Sequence, residues 1–167
     1  MPGTIVRPLD PSDQEWAGHR LDSGFAGRWQ ARRGELVDAH GAPGLVAERA
    51  GARVGLLTYR FDDDEAEVVF LEATERHAGI GTALLEAFLA QAHGRRVWLV
   101  TTNDNLEALR FYQRRGFVIT DVRAGAMDAA RRTLKPEISE IGAFGIPIRD
   151  EIELEHAPAA RRGAVHA

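Results

Sequence analysis

A turn with two glycines is the part of this sequence whose residue types point most clearly to chemistry. The hydrophobic stretch Glu67–Leu71 has the character of a strand, and apolar residues recur at helical spacing after Gly79. The segment Glu75–Gly81 therefore joins a strand to the first turn of a helix. The first amides of a helix lack acceptors within it and carry the positive end of its dipole. Because glycines let a ligand approach the main chain closely, this backbone can bind a phosphate group.

Two common phosphate-binding motifs do not fit this turn. The P-loop requires a lysine directly after its second glycine, whereas the only lysine of the chain is Lys135. The dinucleotide motif Gly-x-Gly-x-x-Gly/Ala begins at Gly79 and Gly81 but reaches Leu84 where it requires a small residue. Two glycines by themselves leave an ordinary tight turn as an equal alternative.

A second segment with a clear pattern follows. The nearly continuous apolar run Arg96–Thr102 predicts a strand that is buried on both faces. Asp104 and Glu107 have the spacing of a capping box, which predicts that a helix begins there. Gly116 is placed to end that helix. The segment therefore predicts a second strand-to-helix connection.

One stripe of that helix has unusual chemistry. Asn105, Ala108 and Tyr112 lie on the same side, because seven residues make almost two full turns. An amide, a small gap and a phenol in a row suit an elongated, partly polar ligand. The alternative is an amphipathic helix whose Tyr112 packs in the core.

Together the two segments resemble the GNAT N-acetyltransferase superfamily. The run Arg76–Gly81 matches the family motif Arg/Gln-x-x-Gly-x-Gly/Ala. The stripe on the second helix matches Asn-x-x-Ala-x-x-x-Tyr, and Gly116-Phe117 matches the Gly-Phe that follows it. The pair of motifs, in this order and at this distance, is specific for the family.

The resemblance covers almost the whole chain. It extends from Thr4 to about Glu155, so we expect one domain over residues 4–155 and a disordered tail over residues 156–167. The stretches Trp98–Phe117 and Leu134–Glu155 also resemble an uncharacterised bacterial branch of the family. That branch indicates no acceptor.

The resemblance implies an α/β (α+β) architecture, the GNAT fold. This is a mixed, twisted sheet of about six to seven strands, flanked by helices and splayed between its fourth and fifth strands. It also implies acetyl-CoA as co-substrate in the splay, and no metal. His77 and Ala78 stand where the family often has glycine and a basic residue, which could weaken phosphate contacts. The cofactor-binding residues that the resemblance implies are Leu71, Ala73, Arg76, His77, Ala78, Gly79, Ile80, Gly81, Thr82, Asn105, Ala108 and Tyr112.

Transfer of an acetyl group to an amine needs three contributions from the chain. A backbone amide, expected to be that of Leu71, hydrogen-bonds the thioester oxygen as negative charge develops there. Tyr112 matches the family's general acid, a phenol that protonates the departing thiolate. Glu72 is the candidate base for the ammonium proton, with Glu67 or water as alternatives. By strict alternation Glu67 and Glu72 fall on opposite faces of their strand, unless a bulge resets the register.

The acceptor side is predicted from the end of the chain. The segment Arg123–Pro147 is expected to be a long connection, and the last strand is expected over Ile146–Glu155. Alternation places Glu151 on the polar face of that strand and Asp150 on its apolar face. Asp150 is therefore the candidate to bind the acceptor's ammonium group, assisted by Glu151, and we expect a cationic acceptor with some apolar surface. The alternative is an edge charge that discourages aggregation.

The bulk composition limits the classes of function. With 167 residues, 44% of them hydrophobic, the chain suits one domain, and the absence of cysteine excludes disulfides and thiolate metal sites. No stretch approaches the ~20 apolar residues of a membrane span, and the start of the sequence does not resemble a signal peptide. A net charge of −4 argues against a nucleic-acid partner. We therefore expect a cytoplasmic monomer or homodimer that contacts neither nucleic acid nor membrane.

These expectations combine into one predicted function. The chain is expected to transfer an acetyl group from acetyl-CoA to a primary amine of a small molecule or peptide by direct attack. The alternative is a non-catalytic acyl-CoA-binding or regulatory module. Tyr112 favours the enzyme, because a binding module needs no phenol at the sulfur.

Overall fold

The computed structural model describes residues 3–24 and 26–157. They form two compact units: the chain up to Gln30 with Val37–Val97, and Ala31–Leu36 with the chain from Trp98 onward. Short 3₁₀ turns lie at Pro11–Asp13 and Ala143–Gly145. The strands and helices in chain order are β1 (Ile5–Pro8), α1 (Gln14–Ser23), β2 (Trp29–Arg32), β3 (Glu35–Asp38), β4 (Gly44–Arg49), β5 (Ala52–Phe61), β6 (Glu65–Ala73), α2 (Ile80–Gln91), β7 (Arg96–Thr102), α3 (Leu106–Gln113), β8 (Phe117–Arg123), α4 (Ala126–Thr133) and β9 (Glu151–His156).

The first unit is built on strands β1, β4, β5 and β6, which pair antiparallel in that order. Its two helices cover opposite faces, because successive side chains of a strand point to opposite sides. Leu56 of β5 belongs to the same buried cluster as Leu21 of α1. The neighbouring Gly55 faces α2, since a Cβ there would meet side-chain atoms of Ile80 at 2.6 Å and of Leu84 at 2.9 Å. The lack of a side chain at Gly55 thus lets α2 pack closely on β5.

Strand β6 contains a bulge between the two carboxylates that the sequence offers as bases. Its pairing with β5 shifts register between Thr58 and Tyr59 of β5, which leaves Val69 of β6 as the extra residue. A bulge interrupts the alternation of side chains along a strand. Strict alternation therefore does not relate Glu67 to Glu72.

The second unit is built on β7, β9 and β8, which pair antiparallel with β9 in the middle. The polar face that alternation predicts for β9 is buried, because Glu151 and Glu153 are each only 3% exposed. The Arg33 guanidinium donates to both oxygens of Glu153, at 2.8 and 3.0 Å, and Arg123 donates to Glu151 at 2.6 Å and to Glu153 at 3.0 Å. Carboxylates can be buried in this way only when they are paired.

The tip of the β2–β3 hairpin belongs to the second unit. Its two-residue turn consists of Arg33, with φ 47°, and Gly34, with φ 76°. Positive φ at both positions matches the turn that fits the twist of a tight hairpin. The Arg33 amide donates to Glu151 at 3.0 Å, and its guanidinium lies 3.8 Å from the centroid of the Trp98 ring. These contacts fix the tip against β9 and β7.

The predicted loop Arg123–Pro147 contains the helix α4, which corrects the sequence-based expectation. Met127, Ala130 and Leu134, at helical spacing, are buried or half-buried. The helix is only eight residues long, and its inner face includes small alanines. The connection therefore contains a helix that packs on the second unit, and it is not only a loop.

The start of α3 differs by one residue from the prediction. Asn105, not Asp104, is the N-cap, and its side chain accepts a hydrogen bond from the Ala108 amide at 3.2 Å. Asp104 is fully buried and accepts from the Ala143 amide at 2.9 Å. A Cβ at Gly142 would meet Asp104 Oδ2 at 2.0 Å, so only glycine fits there. Asp104 thus anchors a distant segment instead of capping the helix.

Three further expectations concern membrane-spanning segments, the C-terminal tail and the end of the first helix. Within residues 3–24 and 26–157, no helix combines the length and the apolar content that crossing a bilayer requires. Strand β9 extends to His156, the first residue of the predicted tail, and residues 158–167 of that tail lie outside the described part of the chain. Phe25, the predicted end of the first helix, also lies outside it.

Candidate functional site

The glycine-containing turn leads directly from β6 into α2, as predicted. Helix α2 begins at Ile80, and its N-cap Gly79 has the left-handed conformation φ 77°, ψ 0°. His77 is also left-handed, with φ 60°. The first hydrogen bond of the helix runs from the Ala83 amide to the Gly79 carbonyl oxygen at 3.0 Å. The first amides of an α-helix generally have no acceptor within the helix.

The main chain of this turn fits a phosphate-bearing ligand. A Cβ built at Gly79 meets no heavy atom within 4 Å, so a side chain there would enter the space beside the first amides of α2. Successive turn residues that include left-handed ones direct their amides into a concave, anion-binding surface. Arg76 and His77 are exposed at its edge. The turn can thus bind the pyrophosphate of a coenzyme by backbone amides.

Two residues that the sequence analysis did not single out hold this turn in place. Arg49, the last residue of β4, donates to the Ala78 carbonyl oxygen at 2.9 Å and lies 3.4 Å from Glu75. Gly55 admits Ile80, the first residue of α2, against β5. Both contacts join segments that are far apart in the sequence, so no local pattern reveals them.

The remaining predicted residues of the first unit lie on β6 and α2. Leu71 and Ala73 are half-buried and pair with Leu57 and Gly55 of β5. Gly81 and Thr82 are half-buried in the first turn of α2. The first unit therefore brings the end of β6, the turn and the start of α2 together, in the order that the motif predicts.

Both candidate bases on β6 are engaged in ion pairs. Arg20 of α1 donates to the two oxygens of Glu72 at 2.6 and 3.1 Å. Arg60 of β5 donates to Glu67 at 2.9 Å, and Glu67 is 3% exposed. A proton accepted by Glu72 would have to bind a lone pair that Arg20 does not use.

The motif residues of α3 are found in the second unit. The Asn105 side chain caps the helix through the Ala108 amide and donates to Thr101 Oγ1 of β7 at 3.1 Å. Asn105 and Ala108 are both half-buried. The amide of Asn105 therefore fixes the start of α3 on the end of β7, and this contact positions the stripe that carries Tyr112.

Tyr112 lies in an aromatic cluster of the second unit. Its ring is 7% exposed and meets Phe111 and Phe117 edge to face, with centroid distances of 5.1 and 5.2 Å. Burial raises the pKa of the Tyr112 phenol well above its usual value near 10, and the nearby charges of Arg32 and Arg115 offset part of this rise. The phenol is therefore protonated at neutral pH, as a proton donor must be.

The two predicted acceptor-binding residues have partners within the second unit. Asp150 directly precedes β9 and accepts from the amide of Gly125, the N-cap of α4, at 2.9 Å. Arg149 donates to the same carboxylate at 2.9 and 3.0 Å. Glu151 is held by Arg33 and by a guanidinium of β8. The geometry gives Asp150 the structural role of anchoring α4, a role that neither sequence-based alternative included.

We expect Asp150→Asn to lower stability rather than acceptor affinity. The Arg149 guanidinium and then the Gly125 amide hold the pKa of Asp150 below its usual value of 3.8. A carboxyl with a lowered pKa stabilises the folded state above its ordinary pKa, and this contribution is lost on acidification. The substitution should lower the free energy of unfolding by about 1 kcal/mol at pH 7, measured by urea titration. The difference should shrink below pH 3.8.

Exposed Asp63 offers a matched control, because Asp63→Asn removes the same charge from a surface turn. Its unfolding free energy should change by less than about 0.5 kcal/mol. A raised acceptor KM with unchanged stability in Asp150→Asn would restore the acceptor-binding role predicted from the sequence.

No cluster of three or more His, Cys, Asp or Glu side chains that could hold a metal ion is found in the part of the chain that the structure describes. The first unit thus contains a backbone turn suited to an anionic ligand, and the second unit contains a buried, protonated phenol.

Comparison with known proteins identifies the family. The profile of the acetyltransferase (GNAT) family matches residues 10–117. YdhI, an uncharacterized protein of Bacillus subtilis (strain 168), is 39% identical over 148 residues, which make up 84% of this chain and 92% of YdhI.

Two solved structures share the fold at low sequence identity. A GNAT family acetyltransferase from Elizabethkingia anophelis with acetyl-CoA bound aligns with a TM-score of 0.64 at 20% identity, over 93% of this chain and 98% of the other. Arabidopsis thaliana Naa50, in complex with the bisubstrate analogue CoA-Ac-MVNAL, aligns with a TM-score of 0.68 at 18% identity, over 93% and 99%. The α/β fold class predicted from the sequence is confirmed by these alignments. With a family profile that spans most of the chain and a relative that is similar over nearly its full length, this chain belongs to the acetyltransferase (GNAT) family.

Proposed function

We propose that the chain is an acetyl-CoA-dependent N-acetyltransferase whose acceptor is a primary amine of a small molecule or peptide. The observation that carries the proposal is the left-handed Gly79 at the N-terminus of α2, where open space around its Cβ position lets a pyrophosphate approach the first turn of the helix. The similar Elizabethkingia enzyme has acetyl-CoA bound, and the similar Naa50 binds a CoA–peptide analogue. Both ligands contain CoA, whose pyrophosphate is the group for which this turn is suited.

The chain's own groups support the transfer step. When bound, acetyl-CoA supplies an acetyl group activated as a thioester. The backbone amide of Leu71 on β6 is assigned to the thioester oxygen, where it stabilises developing negative charge. Tyr112 is assigned to the sulfur and donates its proton as the carbon–sulfur bond breaks. The buried phenol holds that proton across the neutral pH range.

The amine must lose a proton before or as its lone pair attacks the carbonyl carbon. In this proposal that proton passes to Glu72, directly or through water. Arg20 holds the Glu72 carboxylate in one orientation through two hydrogen bonds. The balance of the reaction is then one amide bond formed, one thioester bond broken and one thiol released.

The test is an acetyl-transfer assay with purified protein and a panel of amines that includes polyamines, aminoglycosides, arylalkylamines and peptides. Thiol release is measured together with the mass of the acetylated product. We expect acetylation of at least one class above the rate of acetyl-CoA hydrolysis without amine. If acetyl-CoA binds but no amine is acetylated, the chain is a coenzyme-binding module instead.

A further inference from the structure

Arg49 lies behind the turn that we assign to the pyrophosphate. It is the last residue of β4, and its side chain is 27% exposed. Its Nη2 donates to the Ala78 carbonyl oxygen and to Thr4 Oγ1, both at 2.9 Å. Its Nη1 lies 3.4 Å from Glu75 Oε2. All four residues belong to the first unit, so the guanidinium connects the end of β4 to the turn within that unit.

The hydrogen bond to Ala78 determines the direction of a neighbouring amide. The Ala78 carbonyl oxygen and the Gly79 amide belong to one planar trans peptide group, so they point in opposite directions. Ala78 is half-buried, whereas Gly79 is exposed. Because Arg49 holds the carbonyl oxygen on the inner side of the turn, the Gly79 amide points to the outer side.

Gly79 does not fix this direction by itself. A flip of the peptide between Ala78 and Gly79 changes chiefly the ψ angle of Ala78 and the φ angle of Gly79, and glycine adopts either sign of φ about equally readily. The residue that gives a ligand room to approach therefore also leaves the peptide free to turn over. A donor from outside the turn removes this freedom, and Arg49 is such a donor.

The direction of the Gly79 amide matters because this amide is the first of the group assigned to the ligand. Gly79 is left-handed, with φ 77°, and the next residue, Ile80, begins α2. A left-handed residue beside a right-handed one directs successive amides into one concave surface that binds anions. With the Gly79 amide pointing outward, the amides of Gly79, Ile80 and Gly81 together can form such a surface.

The charge of Arg49 acts in the same direction as its hydrogen bond. A cationic donor polarises the peptide group to which it is bonded, which makes the amide of that group a stronger donor. The partner oxygens of Ala78 and Thr4 are neutral, and the side chain of Glu75 is 58% exposed. An exposed carboxylate compensates a positive charge only weakly. The charge of Arg49 therefore attracts an anion to the other side of the peptide.

We propose that Arg49 is a positioning residue for the coenzyme. Through the Ala78 carbonyl oxygen it holds the Gly79 amide toward the pyrophosphate, and it does not contact the coenzyme itself. Arg49 then determines how tightly acetyl-CoA binds, whereas the transfer step does not depend on it. This inference rests on the proposed function for the identity of the ligand, and on the contacts of Arg49 for the role of this residue.

The test replaces the guanidinium of Arg49. Arg49→Met keeps an unbranched side chain and removes its charge and its donors, and Arg49→Gln is a second variant with a shorter, neutral side chain. Arg95→Met is the matched control. Arg95 also holds a turn through a backbone oxygen, because its Nε donates to the Asp62 carbonyl oxygen at 3.0 Å, but that turn lies at the other end of β6. Circular dichroism and thermal unfolding establish that each variant is folded.

Binding of acetyl-CoA is measured by calorimetry, and inorganic pyrophosphate is titrated by NMR as a probe of the turn alone. In the parent protein and in Arg95→Met, pyrophosphate should shift the amide resonance of Gly79. In both Arg49 variants the Kd for acetyl-CoA should rise about tenfold or more, and the same pyrophosphate concentration should no longer shift that resonance. In transfer assays the KM for acetyl-CoA should rise by the same factor while kcat stays within about twofold. A residue that only stabilised the fold would not produce this separation of KM from kcat.

The outcomes separate this inference from the proposed function. If acetyl-CoA and pyrophosphate bind to all variants as expected but no amine is acetylated, the role of Arg49 stands and the proposed function fails. If amines are acetylated but the Arg49 variants bind acetyl-CoA and pyrophosphate like the parent protein, the role of Arg49 is overturned. An equal rise of Kd in Arg95→Met also overturns it, because the loss would then reflect the general stability of the fold. So does a parent protein whose Gly79 amide does not respond to pyrophosphate.

Discussion

Gly79→Glu is expected to abolish acetyl-CoA binding. The new side chain would extend into the space beside the first amides of α2, where a Cβ now meets no heavy atom within 4 Å. Its carboxylate would stand beside the pyrophosphate, and two like charges about 4 Å apart repel by about 4 kcal/mol at an effective dielectric constant of 20. Even a fraction of this repulsion raises Kd by about 100-fold, which isothermal titration calorimetry with acetyl-CoA would detect.

A matched control variant separates repulsion at the turn from the general effects of an added charge and of backbone strain. Gly94 is also left-handed, with φ 80°, and a Cβ there also meets no heavy atom within 4 Å. Gly94→Glu therefore introduces the same charge and the same backbone strain of about 1–2 kcal/mol, but at the C-terminal side of α2. It should bind acetyl-CoA normally, as should His77→Ala, since the turn acts through its amides. Equal affinity of Gly79→Glu and Gly94→Glu would refute the assignment of the turn.

The elements with strong local signals were predicted well. The run Arg96–Thr102 forms β7 with the predicted bounds, because a nearly unbroken β-branched and apolar run has few other stable conformations. The strand-to-helix turn at Gly79 is also found, since a strand, two glycines and an amphipathic helix follow one another in the sequence.

Elements whose stability depends on distant partners were missed. Helix α4 was expected to be part of a loop, although its apolar residues recur at helical spacing. Its N-cap Gly125 is held by Asp150, which is more than twenty residues away. The alternation of side chains placed Glu151 on the polar face of the last strand. It did not show that Glu151 is buried, since the arginines that cover it come from the hairpin tip and from β8. Asp104 was interpreted as a helix cap, whereas its partner is the amide of Ala143.

The residues of the candidate site also differ in how far the sequence indicates them. The turn and Tyr112 could be named from motif spacing, because backbone cradles and helix stripes are local features. Arg49, which holds the turn through the Ala78 carbonyl oxygen, gives no signal in the sequence around the motif. The pairing of Arg20 with Glu72 likewise gives no signal in the sequence. A pattern records residue type and period, whereas these contacts depend on how the strands and helices pack.

Tyr112→Phe is expected to lower kcat about 100-fold, the size of effect typical of a positioned proton donor, while the Kd for acetyl-CoA changes little. The substitution deletes only the hydroxyl, and the phenylalanine ring keeps the edge-to-face contacts with Phe111 and Phe117. Fold and coenzyme site should thus be preserved. Steady-state kinetics with an acceptor from the amine panel give kcat, and calorimetry gives the Kd.

Tyr59→Phe is the matched control for this substitution. The chain has two tyrosines, and Tyr59 also lies among aromatic rings, 4.7 Å from Phe61 and 5.3 Å from Phe88 between centroids. Removing its hydroxyl should leave kcat within about twofold, because it belongs to a cluster to which no role in the reaction is assigned. A similar loss in both variants would mean that aromatic packing, not proton donation, limits the rate.

The pH dependence of the unmodified enzyme distinguishes a buried donor from a solvent-exposed one. Burial raises the pKa of the Tyr112 phenol above its usual value near 10, so the protonated form, which donates, persists to higher pH than in water. The rate should therefore show no alkaline decline from this group up to about pH 10. Tyr112→Phe should lower the whole profile without shifting its limbs. Full turnover in Tyr112→Phe would instead show that water or another group protonates the thiolate, and it would leave Tyr112 as a packing residue of the aromatic cluster.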